Sequence, residues 1–200
     1  MPDFSIEDQY PGPVAGIDEA GRGPWAGPVV AAAVVLDRDN LPDGLNDSKQ
    51  LSQKKRELLF DLIRQSAQFG VGIGSVAEID RINIARANDL AMERAVAALP
   101  CQPEFLLIDG RWVPRGLTLP ARAVIKGDSL SLSIAAASII AKVTRDRIMA
   151  DLAQAHPGYG WETNQGYGTR AHAEALKSLG VTPHHRVSFK PIHNMLYEEN

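Results

Sequence analysis

Apolar residues fall into short runs in the first two thirds of the chain and into helical stripes between and after them. Five runs predict strands: Val14 to Asp18, Val29 to Leu36, Gly70 to Val76, Phe105 to Asp109 and Ala121 to Ile125. Ser52 is placed to cap a helix through about Gln65, with Leu58, Leu59, Leu62 and Ile63 on its inner stripe. Asn83 to Leu99 predicts a second, alanine-rich helix, and Ser129 to Ala155 predicts the longest. Helical character returns at Thr169 to Leu179, ended by Gly180, as part of a small C-terminal cap. The pattern is a mixed α/β architecture without repeats or a long linker.

Composition narrows the class. The chain has 200 residues, 44% of them hydrophobic, enough for one domain with a sizeable core. The lone cysteine, Cys101, excludes an intrachain disulfide and reads as an inert loop residue beside Pro100. The N-terminus lacks a basic segment followed by an apolar stretch, and runs such as Pro28 to Leu36 are too short to span a bilayer, so a soluble cytoplasmic protein, with no membrane role and monomeric by default, is expected. The formal net charge of −3 argues against coating nucleic acid by bulk electrostatics. Its distribution leaves room for a local basic surface, because Lys126, Lys142, Arg145, Arg147, Arg170, Lys177, Arg186 and Lys190 fall in the later half.

The candidate chemistry lies at strand ends. Asp18 and Glu19 close the first run, Asp109 closes the fourth, and Asp128 follows the fifth. Sites in open α/β sheets form beyond strand ends, so these acids can converge on one cluster. Packed carboxylates stay ionised at neutral pH only with cations among them, and oxygen ligands suit Mg²⁺ or Mn²⁺. Two such ions are a usual device for hydrolysing phosphodiesters. Neighbouring strand residues point to opposite faces, so Asp18 and Glu19 are expected to share a metal only if the strand ends there; Gly21 and Gly23 provide a bend.

The run Gly16-Ile17-Asp18-Glu19-Ala20-Gly21-Arg22-Gly23-Pro24 resembles the opening signature of the type 2 ribonucleases H, the family of bacterial ribonuclease HII. The resemblance continues in the family's order through Asn46 to Ser52, Ile108-Asp109-Gly110, Lys126-Gly127-Asp128, Ala135 to Asp146, Gly166 to Thr169 and His184 to Phe189, and spans about residues 13–192. It implies an RNase H-like fold, a mixed five-stranded sheet flanked by helices, in a catalytic domain over 1–155 with a C-terminal helical extension over 156–200. It implies action on RNA in RNA–DNA hybrids and on ribonucleotides embedded in duplex DNA. By the resemblance, Asp18, Glu19, Asp109 and Asp128 bind two divalent ions, Mn²⁺ or Mg²⁺. These activate water for in-line attack on the phosphorus 5′ of a ribonucleotide and stabilise the departing 3′ oxygen, leaving 3′-hydroxyl and 5′-phosphate ends. Gly21, Arg22 and Gly23 are expected to read the 2′-hydroxyl, Arg22 also to hold a phosphate, and Tyr167 to stack on the sugar beside the cut. Asn164-Gln165 stands where many relatives carry His-Lys, which removes a positive charge.

Plainer roles compete at each position. Asp109 also fits an Asp-Gly turn, and Asp128 a helix N-cap before Ser129. Lys49, Lys142 and Arg145 are candidates for phosphate contacts, although such side chains are often only solvated. His184 and His185 suit structural or backbone contacts better than metal ligation. A binding module without catalysis explains the basic residues but not the acids, which repel phosphate. A small-molecule phosphohydrolase uses the acids but has little use for the dispersed bases and Tyr167. Recruitment by a sliding clamp or a polymerase is not evident, since the short acidic tail shows no clear clamp-binding peptide.

Overall fold

The computed structural model describes residues 1–197. Its centre is one five-stranded sheet in the order β3-β2-β1-β4-β5. Strands β1 (Val14–Ala20), β2 (Val29–Leu36) and β3 (Ala67–Gly74) form an antiparallel meander, while β4 (Phe105–Asp109) and β5 (Ala121–Val124) add in parallel beyond β1. This is the mixed sheet expected. The first strand is therefore central, and its buried residues read as a nearly continuous apolar run because both faces are covered.

Helices α1 (Gln53–Ser66) and α3 (Leu132–Ala155) cover one face, and α2 (Val76–Ala97) covers the other. Alanines 135 to 137 of α3 are fully buried against the sheet. Gly16 on β1 permits that approach, because a Cβ there would collide with the backbone of Ser133 and Ile134. The C-terminal α4 (Trp161–Asn164), α5 (Arg170–Leu179) and α6 (Lys190–Tyr197) share a separate core. In it Tyr159, Trp161, Leu176 and Ile192 meet Ala26 and the end of α3 at Met149 and Ala153. Among the described residues no helix is long and apolar enough to cross a membrane.

Several expected boundaries move, each for a local reason. Helix α2 begins at Val76, not Asn83, because Ser75 and Glu78 form a reciprocal capping box. Asn83, at φ 67°, interrupts that helix rather than starting it. Strand β3 follows α1 directly at Ala67, so the expected strand at 70–76 starts early and yields its last two residues, Ser75 to the cap and Val76 to α2. On α1 the inner stripe is Leu59, Phe60 and Ile63, while Leu58 and Leu62 are exposed. The long helix starts at Leu132 under a Ser131 cap, and Asp128 sits earlier in a short 3-10 turn, Gly127–Ser129. Asp128 is thus not the N-cap of α3.

Candidate active site

Three aspartates meet near the C-terminal ends of β1, β4 and β5. The parallel register pairs Ile17 with Ile108, so Asp18 and Asp109 follow side by side on β1 and β4. The turn after β5 brings Asp128 to them, and the three carboxylates each offer an oxygen within 4.8 Å of the others. Asp18 and Asp128 are only 4% and 6% exposed, which makes their gathering costly without a cation.

Hydrogen bonds fix the group. The Glu19 N–H donates to Asp18 Oδ1 at 2.7 Å, and the Gly127 N–H donates to Asp109 Oδ1 at 2.7 Å. Lys126, in the left-handed region at φ 57°, forms the turn that aims Gly127 at Asp109. The Lys49 ammonium lies 3.2 Å from Asp128 Oδ2. Burial pushes the Asp18 carboxyl well above the usual carboxylate range, with Glu19 and Asp109 adding to the rise. Asp109 is raised by burial and then by Asp128. Burial acts to lower Lys49, but Asp128 and Asp18 outweigh it and hold the ammonium charged. A buried set of hard oxygen donors that already draws in one cation fits a divalent metal such as Mg²⁺ or Mn²⁺.

Glu19 differs from the expected picture. The strand does not end at Asp18: β1 stays paired through Ala20, opposite Val30. Glu19 accordingly stands outside the three-aspartate group, raised by burial and held by Arg22 at 3.1 Å. Its carboxylate nevertheless lines the same cleft of about 280 Å³, which Asp18 and Asp109 also border.

The cleft wall carries most of the expected substrate residues. Gly21, Arg22, Gly23, Lys49, Lys142 and Tyr167 all line it. Tyr167 is 48% exposed, with its ring about van der Waals distance from where a Gly23 Cβ would stand. Lys142 is tied to Asp146 at 2.6 Å one helical turn along α3, which leaves it partly available.

Arg145 requires correction. Although it borders the cleft, it is 1% exposed, and its guanidinium donates to the carbonyls of Pro28, Gln165 and Ala26 at 3.0, 3.0 and 3.1 Å. A fork filled by three backbone acceptors is not free for phosphate. Burial lowers its pKa to about 10.

Arg186 does the same work and was missed as a site residue. It is fully buried and donates to the carbonyls of Gly27, Arg22, Gly21 and Pro28. Burial, then the neighbouring Arg145, lowers its pKa to about 9. The two arginines hold the 21–28 loop from beneath. No local signal in sequence marks Arg186, because the carbonyls it satisfies lie in the distant 21–28 loop.

Behind Tyr167 the histidines form a relay of neutral rings. His185 Nδ1 accepts from the Thr182 N–H at 2.9 Å, so its Nε2 carries the proton and donates to His172 Nε2 at 3.1 Å. His172 therefore holds its own proton on Nδ1, toward the Tyr167 carbonyl at 2.9 Å, and accepts from Trp161 at 3.1 Å. The structural role expected of His185 is the one found. Asn164 is likewise internal, donating to the Tyr159 carbonyl and accepting from the Gly166 N–H, both at 2.8 Å.

Comparison with known proteins agrees with this arrangement. Residues 15–192 match the family model described as Ribonuclease HII. The ribonuclease HII of Roseobacter denitrificans is 63% identical over 186 residues, covering 93% of this chain and 94% of that relative. The crystal structure of ribonuclease H2 from Pyrococcus horikoshii superposes with a TM-score of 0.77 at 30% identity, covering 91% of this chain and 96% of that one. The RNase HII of Archaeoglobus fulgidus, solved in complex with PCNA, gives a TM-score of 0.76 at 32% identity, covering 89% and 95%. The chain belongs to the ribonuclease HII family, nucleases that hydrolyse RNA in RNA–DNA hybrids.

Proposed function

We propose that this nuclease also cuts duplex DNA at embedded ribonucleotides, immediately 5′ of the ribose, by metal-dependent hydrolysis that leaves 3′-hydroxyl and 5′-phosphate ends. The observation that carries the reading is that Asp18 and Asp109, which Asp128 joins in one carboxylate cluster, line one groove with the 21–23 turn and Tyr167. A small-molecule phosphohydrolase has little use for the exposed Tyr167 beside that turn.

Each residue then has a task. Asp18, Asp109 and Asp128, with Glu19 on the same cleft, would hold the divalent ions. Mg²⁺ or Mn²⁺ bound there supplies a Lewis acid for the attacking water and for the departing 3′ oxygen. Backbone groups of Gly21 and Gly23 approach the 2′-hydroxyl, where a side chain would block them, and so separate ribose from deoxyribose. Arg22, Lys49 and Lys142 would face phosphates, and Tyr167 would pack on the sugar beside the cut. Arg145 and Arg186 position the turn.

The C-terminal elements after residue 155 act as an extension that carries Tyr167 to the catalytic domain, in a monomeric, cytoplasmic enzyme. A replication clamp is the partner to test first, since the Archaeoglobus fulgidus relative was solved with PCNA; part of the acidic tail that concerns it, residues 198–200, lies outside the described residues. Asp109→Asn is the test of the chemistry: it should abolish metal-dependent cutting of a ribonucleotide-containing duplex while duplex binding stays near wild type. Turnover retained by that variant removes Asp109 from the mechanism.

A further inference from the structure

A second recess opens on the other flank of the acids. It holds about 220 Å³ and shares Glu19, Arg22 and Asp109 with the main cleft. From them it runs over Asn88 on α2 to Arg111 and Trp112 in the β4–β5 connection, so the two recesses adjoin at Glu19, Arg22 and Asp109.

Packing leaves three features of this recess unexplained. Trp112 is 58% exposed, a large apolar surface held in water. The neighbouring Arg111 is exposed and forms no ion pair among the described residues. Asn88 is only 4% exposed, yet its Oδ1 has no hydrogen-bond partner, and its Nδ2 finds only Met92 Sδ at 4.0 Å. A buried amide oxygen without a donor is unfavourable unless something else brings one.

We infer that this recess is a subsite for the nucleotide immediately 5′ of the cut, the one whose 3′ oxygen departs. The inference rests on the function proposed above, in which the 21–23 turn takes the ribose 3′ of the cut. A strand that crosses the carboxylates from that side must leave over Asn88, Arg111 and Trp112. Trp112 offers a face on which a base of any identity stacks, Arg111 a charge for the next phosphate, and Asn88 an acceptor for an N–H or O–H of the nucleotide. Holding the leaving nucleotide keeps its 3′ oxygen in line with the attacking water, so Trp112 contributes to positioning as well as to binding.

The test uses the full chain with Mn²⁺ and two DNA duplexes, each with one ribonucleotide. One has an ordinary nucleotide 5′ of it, the other an abasic tetrahydrofuran residue. On the ordinary duplex, Trp112→Ala is expected to lose about fivefold to a hundredfold in kcat/KM, the range for one base stacked on an aromatic ring. On the abasic duplex the wild type falls by a similar factor, and Trp112→Ala falls no further. Arg111→Gln is expected to weaken binding and flatten its salt dependence. The subsite is overturned if Trp112→Ala matches the wild type on the ordinary duplex, or if the losses from the variant and the abasic residue multiply. If the wild type cuts neither duplex, the proposed function fails, and the subsite with it.

Discussion

Arg186 donates its Nη1 to the carbonyl of Arg22 at 2.9 Å, across 164 positions of sequence, and so joins the segment between α5 and α6 to the turn that borders the carboxylates. The same guanidinium also holds Gly21, Gly27 and Pro28. Arg186→Lys keeps a charge but cannot reproduce the fork. It should lose about 3 kcal/mol of stability in urea denaturation, the range for breaking a buried charge-assisted network. It should also lower the preference for a ribonucleotide over a deoxynucleotide at the cut by about tenfold. A stability loss with unchanged preference would make Arg186 a framework residue only.

The glycines of the turn are not equivalent. Gly21 sits at φ +95°, and a Cβ there would collide with Arg145, so Gly21→Ala disturbs the arginine support as well as the surface. At Gly23 a Cβ meets only Tyr167, at 3.5 Å. Gly23→Ala should therefore cost less than about 1 kcal/mol in stability while lowering kcat/KM on a ribonucleotide duplex about tenfold or more. Stability and activity falling together would refute a steric role at the ribose.

The first strand shows how far the sequence is legible. Its apolar run, its acids and the glycines after it predict the central strand and the position of the carboxylates. The pairing of Glu19 with Ala31 was not legible, because strand continuation depends on hydrogen bonds from β2, a partner that local turn chemistry does not reveal. The cap role that competed for Asp128 fails for a similar reason: the serine that caps α3, Ser131, lies three residues further on, and the intervening 3-10 turn has no apolar signature. In sequence Arg145 is a candidate for a phosphate contact and Arg186 one base of a local basic surface. Their burial follows from unpaired carbonyls of a loop distant in the chain, a demand visible only once the extension is folded against it.

Burial and its carboxylate neighbours raise the Asp18 pKa, so the metal-free protein loses stability as pH rises through that folded value. Asp18→Asn removes the repulsion. Without metal it should be more stable than wild type by about 1 kcal/mol at pH 7, although inactive. With Mn²⁺ at about a hundred times its dissociation constant, the wild type should gain about 2.7 kcal/mol and the variant much less. Equal metal stabilisation of both, followed by thermal unfolding, would place the ion elsewhere.

His185 gives a second pH effect of opposite sign. Burial, then His172, lowers its pKa to about 4 from an ordinary 6.5. A depressed folded pKa gives stability that is present above pH 6.5 and is lost as pH falls toward 4. The loss should be on the order of 2 kcal/mol between pH 7 and pH 4.5. Because the acids slope the other way, the reading is the difference between wild type and His185→Gln, whose Nε2 amide can still donate to His172. A pH-independent difference would mean that the relay is not a pair of neutral rings.

The central claim is that the acid cluster and the 21–23 turn act together on one phosphodiester. It is tested most directly by incubating the purified protein with a DNA duplex carrying a single ribonucleotide, with and without Mn²⁺ or Mg²⁺, and mapping both ends of the cut strand. The account predicts one cut, only with metal, immediately 5′ of the ribonucleotide, with a 3′-hydroxyl and a 5′-phosphate. Cutting without metal, cutting of an all-DNA duplex at a similar rate, or a break 3′ of the ribose would contradict it.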